Sequence, residues 1–288
     1  MSTLWQNIQY KMLRSGSRIN LLIGINVLIF LTIGILSVIE RLMFRSDLIN
    51  YYTDEYLLLP SSLPKLLTRF WTPLTYMFMH AGVFHILFNM LWLYWMGQIF
   101  EEYLGHKRTI GLYILGGLTG ALFFVAAYNI FPYFSAVVNG STVVGASASV
   151  MAIIVATATL LPNYSINLIL IGPVKLKWIA LFYVVIDFLS IAGPNAGGEF
   201  SHLGGALLGF IYVKELQRGD DWIGAINSIF KRKSRLKVAS RNSDRNSSAK
   251  PRQEEIDRIL DKISQTGYES LNKQEKEILN RASKDNEG

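Results

Sequence analysis

The chain contains no cysteine, which excludes disulfides, thiolate nucleophiles and cysteine-based zinc sites. Any chemistry it performs therefore runs on Ser, Thr, His, Asp, Glu, Lys or Tyr. Charge is also scarce, at 17% of residues, whereas 51% are apolar and the mean hydropathy is +0.28. The apolar residues come in blocks as far as about residue 216, after which the composition turns polar and charged. This is the pattern of a membrane protein with a hydrophilic C-terminal tail. The net charge of +7 does not point to nucleic acid, because the positive residues crowd at span ends and in the run Lys231-Arg232-Lys233-Ser234-Arg235-Leu236-Lys237. Beside a bilayer such a run marks the cytoplasmic side.

A helix needs about 20 apolar residues to cross a bilayer, and buried spans run shorter. Six candidates follow, at about 20–39, 84–100, 109–130, 145–161, 176–192 and 202–217. No small-x-small cleavage site follows the first apolar run, so it reads as a retained span and not a signal peptide. The connection 41–78 is long and holds charges, three prolines and several aromatics. The loops 131–144 and 193–201 contain no Lys or Arg, while Lys11, Arg14, Arg18, Lys107, Arg108, Lys175 and Lys177 flank the opposite span ends. That bias and the even span count predict both termini in the cytoplasm. The first loop breaks the pattern with Arg41, Arg45, Lys65 and Arg69, partly balanced by Glu40, Asp47, Asp54 and Glu55.

Polar residues in membrane segments are costly and are read first as functional. Three sets stand out: His80 to Asn89 with His85 between them, Gly145-Ala146-Ser147-Ala148, and His202-Leu-Gly-Gly205-Ala-Leu-Leu-Gly209. In the six-span topology all three lie near the outer ends of their helices. His85 and Asn89, four residues apart, share one helix face. Ala148, Ala152 and Ala156 form a small-residue stripe, and Gly205 and Gly209 a matching step, so spans four and six are expected to pack closely. That brings Ser147 within reach of His202, and a serine beside an imidazole is the minimal activated nucleophile. His85, Asn89 and a backbone N–H near Ser147 would then serve as donors to an oxyanion. Taken singly, each residue has a blander reading: a membrane serine bonded to its own backbone, an interfacial histidine, a packing stripe. Their coincidence at one depth favours catalysis.

The His-x4-His-x3-Asn, Gly-x-Ser and His-x2-Gly-x3-Gly segments, in this order, resemble the rhomboid proteases over about residues 20–217. The resemblance implies an all-α six-span bundle and a Ser-His dyad with no third acid, Ser147 as nucleophile and His202 as general base. It implies oxyanion stabilisation by His85 and Asn89, and structural roles for His80, Gly145, Glu101, Gly205 and Gly209. It calls for no metal or cofactor. Four positions depart from the family's usual pattern: Ala148 follows the nucleophile in place of Gly, Met151 replaces an aromatic one turn later, Trp71 is not followed by Arg, and Ser201 precedes His202. Single-span membrane proteins are the implied substrates, and those with Gly, Pro or small residues near the cut should open most readily. With an imidazole as base, activity is expected to fall in acid.

Two other readings stay open, a catalytically inactive relative that binds membrane helices and a small transporter. Asp187 in span five reads as a gate or accessory acid, or as a residue bonded within the bundle or reaching surface water, and the second reading is favoured. Beyond the spans, Trp222, Ile226, Ile229 and Phe230 predict an amphipathic helix on the inner membrane face within 218–237, and 238–252 reads as a linker. Residues 253–288 read as a helical tail module: Ile256, Ile259, Leu260 and Ile263 form one apolar face, Gly267 a break, and Asn272 to Glu275 a capping box before Ile278 and Leu279. A docking or regulatory role with an unassigned partner is expected for it. The expected location is a bacterial inner membrane, with residues 1–19 a cytosolic segment.

Overall fold

The computed structural model describes residues 16–168, 171–229 and 253–284. Lys11, Arg14, the basic run at 231–237 and the linker at 238–252 lie outside them. Two compact units divide the chain, residues 1–232 and 233–288.

In the first unit, six helices fall on the six apolar segments: α1 (Arg18–Phe44), α5 (Val83–Leu104), α6 (His106–Ile130), α7 (Ser147–Leu160), α8 (Leu176–Ser190) and α9 (Ala196–Arg218). Helices α1, α5 and α6 are long and apolar enough to cross a membrane, and α7 is apolar but only 14 residues long. Helix α9 starts at Ala196, six residues before the expected opening at His202. The backbone N–H groups of Gly198 and Glu199 bond to the Asn195 carbonyl just after Pro194, so tertiary packing carries the helix through Gly197 and Gly198 against their low propensity.

Helix α7 is the centre of the bundle. Every residue from Ala148 to Ala158 is buried, as an all-apolar helix requires. Helices α5, α6 and α9 surround it, and glycines set the spacing. A Cβ on Gly116 or Gly120 of α6 would come to 2.5 Å from the Ala152 or Ala148 methyl, and one on Gly205 or Gly209 of α9 would overlap the Ala148 or Ala152 carbonyl. Ala148, the departure from the usual glycine, is thus accommodated by Gly120 opposite. Large apolar side chains such as Leu28, Leu31, Phe84, Phe88, Phe182 and Leu189 point outward instead, as on a surface that faces acyl chains.

The first connection folds as α2 (Leu48–Tyr56), β1 (Leu59–Pro60), α3 (Leu63–Thr68) and α4 (Thr72–Thr75). Glu40 accepts the Leu48 and Ile49 N–H groups at 2.8 and 2.9 Å and so caps α2. Arg69 pairs with Glu55 and lies over the Tyr56 ring, while Trp71 Nε1 donates to the Tyr56 carbonyl at 2.8 Å. Trp and Arg are not adjacent in sequence, yet both fasten the same end of α2. Strand β1 pairs antiparallel with β2 (Thr142–Val143), just before the Ser147 segment. A hairpin, β3 (Ser165–Leu168) and β4 (Gly172–Lys175), joins α7 to α8.

Glu101, near the end of α5, fastens the start of α1. Its carboxylate accepts Ser17 Oγ–H at 2.7 Å and the N–H groups of Arg18 and Ile19 at 2.8 and 3.0 Å, with His106 Nδ1 also 3.0 Å away. Glu101→Gln turns an amide donor toward other donors. It is expected to cost about 1–3 kcal/mol, read as a lower thermal midpoint in detergent. An unchanged midpoint would show that the clamp contributes nothing.

Helix α10 (Trp222–Ile229) begins by docking onto the bundle: Trp222 meets the Tyr212 ring edge-on at 5.3 Å, Ile223 is buried, and Asp221 pairs with Arg108 at 2.7 Å. Its first turn therefore packs on the bundle. The side chains of Ile226, Ile229 and Phe230 lie outside the described set.

The second unit is a helical hairpin, α11 (Gln253–Thr266) and α12 (Lys273–Lys284), broken at Gly267 with φ +81°. Asn272 Oδ1 accepts the Glu275 N–H and Glu275 Oε2 accepts the Asn272 N–H, both at 2.8 Å, a reciprocal capping box. The Lys262 ammonium and the Asn272 N–H hold the Glu275 carboxyl below its ordinary range. Ile259 is buried, but Leu260 is exposed, so the apolar face is narrower than the sequence pattern indicates.

Candidate active site

Helices α5, α7 and α9 run in the same direction, so their N-terminal ends share one side of the bundle. There a cavity of about 640 Å³ is lined by Ser147, His202, His85 and Asn89, together with Tyr128 and Asn195. Four of the residues singled out in the sequence thus meet in one space. Ser147 is the first residue of α7, and the unpaired N–H groups of a helix start give that end a positive potential. The small-residue contacts of α7 with α6 and α9 hold it there.

Gly145 has φ +128°, in the region that favours glycine, and its N–H bonds to the Tyr76 carbonyl at 3.0 Å. A Cβ at this position would stand 2.9 Å from the His85 imidazole. Gly145→Ala is therefore expected to displace either the turn before Ser147 or the His85 ring. Strain of about 1–3 kcal/mol should appear as a lower thermal midpoint in detergent. An unchanged midpoint would show that alanine fits the turn before Ser147 without strain.

His85 Nδ1 accepts the Ala81 N–H at 3.4 Å, which assigns the ring proton to Nε2, the nitrogen on the Gly145 side. Asn89 Nδ2 donates one hydrogen to the His85 carbonyl at 2.8 Å and keeps a second. His80 does not line this cavity. Its ring packs edge-on against His85 at 5.3 Å and faces a neighbouring cavity of about 600 Å³.

His202, two turns into α9, is partly exposed to the cavity. Its Nδ1 lies 3.1 Å from Asp187 Oδ1 on α8. Among the described residues no hydrogen bond joins Ser147 to His202; hydrogen bonds between catalytic groups are often long until substrate arrives. Ser201, the departure before the histidine, is buried and satisfied by donating to the Gly197 carbonyl at 2.9 Å. Met151 is buried in α7. The contact the sequence did not reveal is that of Asp187 with His202, since nothing in the spacing of 187 and 202 signals a pairing across two helices.

Fold and site together define a helical integral membrane protein with a serine and a histidine facing one cavity at the end of the bundle. The comparisons with known proteins agree: the Rhomboid domain matches residues 67–218, and the chain belongs to the rhomboid family. A second match, to a family of unknown function, DUF6576, covers residues 242–285. RHOMBOID-like protein 12, mitochondrial, of Arabidopsis thaliana is 29% identical over 160 residues, which cover 52% of this chain and 48% of the relative. Presenilin-associated rhomboid-like protein A, mitochondrial, of Danio rerio is 25% identical over 170 residues, 58% of this chain and 40% of the relative. Rhomboid protease GlpG of Salmonella newport (strain SL254) is 36% identical over 55 residues, 19% of this chain and 20% of the relative. The chain therefore spans at most about half the length of these relatives.

Proposed function

We propose that the chain is an intramembrane serine endopeptidase that hydrolyses peptide bonds in or near the spans of single-pass membrane proteins. The observation that carries this reading is the cavity that Ser147, His202, His85 and Asn89 line together. Ser147 attacks the scissile carbonyl and His202 takes its proton. The His85 Nε2–H, the second Asn89 amide hydrogen and the N–H groups at the start of α7 receive the oxyanion. No step requires a metal or cofactor.

In this reading α1, α5, α6, α7, α8 and α9 are six spans and residues 20–217 form the protease domain. The cationic ends of the bundle, with both termini, face the cytoplasm. The site then lies just below the opposite surface, where water enters from one side while lipid surrounds the rest. The tail at 253–288 is a docking or regulatory module. The relatives are mitochondrial by name in two cases and from Salmonella in another, so the expected bacterial inner membrane gains no support from them, and the proposal stops at an integral membrane protein.

The test is cleavage of a single-span test substrate by the purified chain in detergent, beside Ser147→Ala. Cutting by the wild type alone supports the reading. Cutting that survives Ser147→Ala would overturn it, and a folded wild type that cuts none of several substrates would favour an inactive relative that only binds membrane helices.

A further inference from the structure

Asp187 is a buried carboxylate in an apolar helix, 7% exposed. Among the described residues its single hydrogen-bond partner is His202: Oδ1 lies 3.1 Å from Nδ1, while Oδ2 is buried without a partner. Burying a carboxyl group with one partner and an idle oxygen is a poor way to stabilise a fold, since an apolar residue of similar volume would serve as well or better. Three charged or titratable groups surround the His202 ring: Asp187 from α8, Glu199 one turn earlier on α9, and His85 from α5. Only Asp187 reaches it within hydrogen-bond distance.

We propose that Asp187 is a positioning residue that holds His202 in the tautomer and orientation its role as base requires, behind the reacting pair of Ser147 and His202. This rests on the protease reading above and departs from the acid-free dyad that the family resemblance implies. A carboxylate at Nδ1 takes that nitrogen's proton as a hydrogen bond, which leaves the lone pair on Nε2 for the serine. When Ser147 Oγ bonds to the carbonyl carbon, its proton moves to Nε2 and the carbonyl π pair moves to oxygen. When the C–N bond breaks, that proton leaves with the amine. Water then enters and repeats the sequence to free Ser147. Asp187 keeps its hydrogen bond to Nδ1 and faces the imidazolium that forms in each half.

The experiment compares wild type with Asp187→Asn, Asp187→Ala and Asp187→Glu as full chains in detergent. Cleavage gives kcat and KM. A fluorophosphonate run to completion counts competent sites and its rate reads activation of Ser147, so misfolded molecules drop out of both quantities. Asn and Ala are expected to lower kcat per site by about 10²-fold or more and to slow the fluorophosphonate by a similar factor, because the tautomer is no longer fixed. KM should stay within about threefold, since no substrate contact is lost. Glu, which restores a carboxylate, should recover at least about tenfold over Ala. The proposal is overturned if Asn or Ala keeps kcat per site near wild type, if the loss falls on KM with labelling unchanged, if Glu does no better than Ala, or if all three variants yield no competent sites. A wild type that does not cut, or cutting that survives Ser147→Ala, removes the protease reading itself. Wild-type cutting, a dead Ser147→Ala and a fully active Asp187→Asn would remove Asp187 alone.

Discussion

Ser147→Ala and His202→Ala should each reduce cleavage by about 10⁴-fold or more, and the double variant should fall little further. On the proposed mechanism the two act as one unit: without the hydroxyl there is no nucleophile, and without the imidazole the hydroxyl keeps its proton at neutral pH. What survives is the contribution of His85, Asn89 and the start of α7, which serve any nucleophile that reaches the carbonyl. Ser147 faces the cavity and is only partly buried, so Ser147→Ala should change stability by less than about 1 kcal/mol, whereas His202→Ala also strips the buried Asp187 of its partner and should cost up to about 3–5 kcal/mol. The pair of readouts separates chemistry from folding. Losses that multiply in the double variant would mean that Ser147 and His202 work independently, which is incompatible with a nucleophile and its base.

The second large effect is expected at Gly205. A Cβ there overlaps the backbone carbonyl of Ala148, and backbone inside a buried helix has no rotamer into which to retreat. Gly205→Val must push α7 and α9 apart. Overpacking of this kind costs about 1–3 kcal/mol and sometimes more. Ala148 follows Ser147 directly and Gly205 lies three residues after His202, so the displacement falls on the reacting pair as well as on the fold. Activity should therefore vanish at temperatures where the variant is still folded. Gly34 on α1 provides the control, because a Cβ there meets nothing within 4 Å; Gly34→Ala should match or slightly exceed wild-type stability. A Gly205→Val variant as active and stable as Gly34→Ala would show that α7 and α9 do not approach as described.

Both effects concern features that the sequence announces well. Apolar blocks locate helices because the bilayer permits few alternatives, and the stripe of Ala148, Ala152 and Ala156 opposite Gly205 and Gly209 identifies a close helix pair from residue size and spacing alone. The capping box at Asn272 and Glu275 is legible for a different reason, being a local exchange of hydrogen bonds between residues three apart. Legibility fails where geometry is set by distant partners. Helix α9 begins at Ala196 and not near His202 because packing overrides the poor propensity of Gly197 and Gly198. Gly116 and Gly120 look like unremarkable span residues until α7 is laid against them. Asp187 reads as a satisfied bundle residue, and so it is in the sense of having a partner, but sequence spacing says nothing of which partner. Leu260 shows the opposite error: helical periodicity gives it a face, while a short hairpin has too little mass to cover it.

The clamp made by Glu101 also bears on how the protein is made. Its partner Ser17 precedes it by 84 residues, which at roughly 5–20 residues per second corresponds to about 4–17 s of translation. During that interval the first helix has left the ribosome with its leading N–H groups unanswered by any carboxylate. It becomes fixed only when the far end of α5 emerges on the same side. Helix α1 is therefore synthesised well before the carboxylate that latches its start.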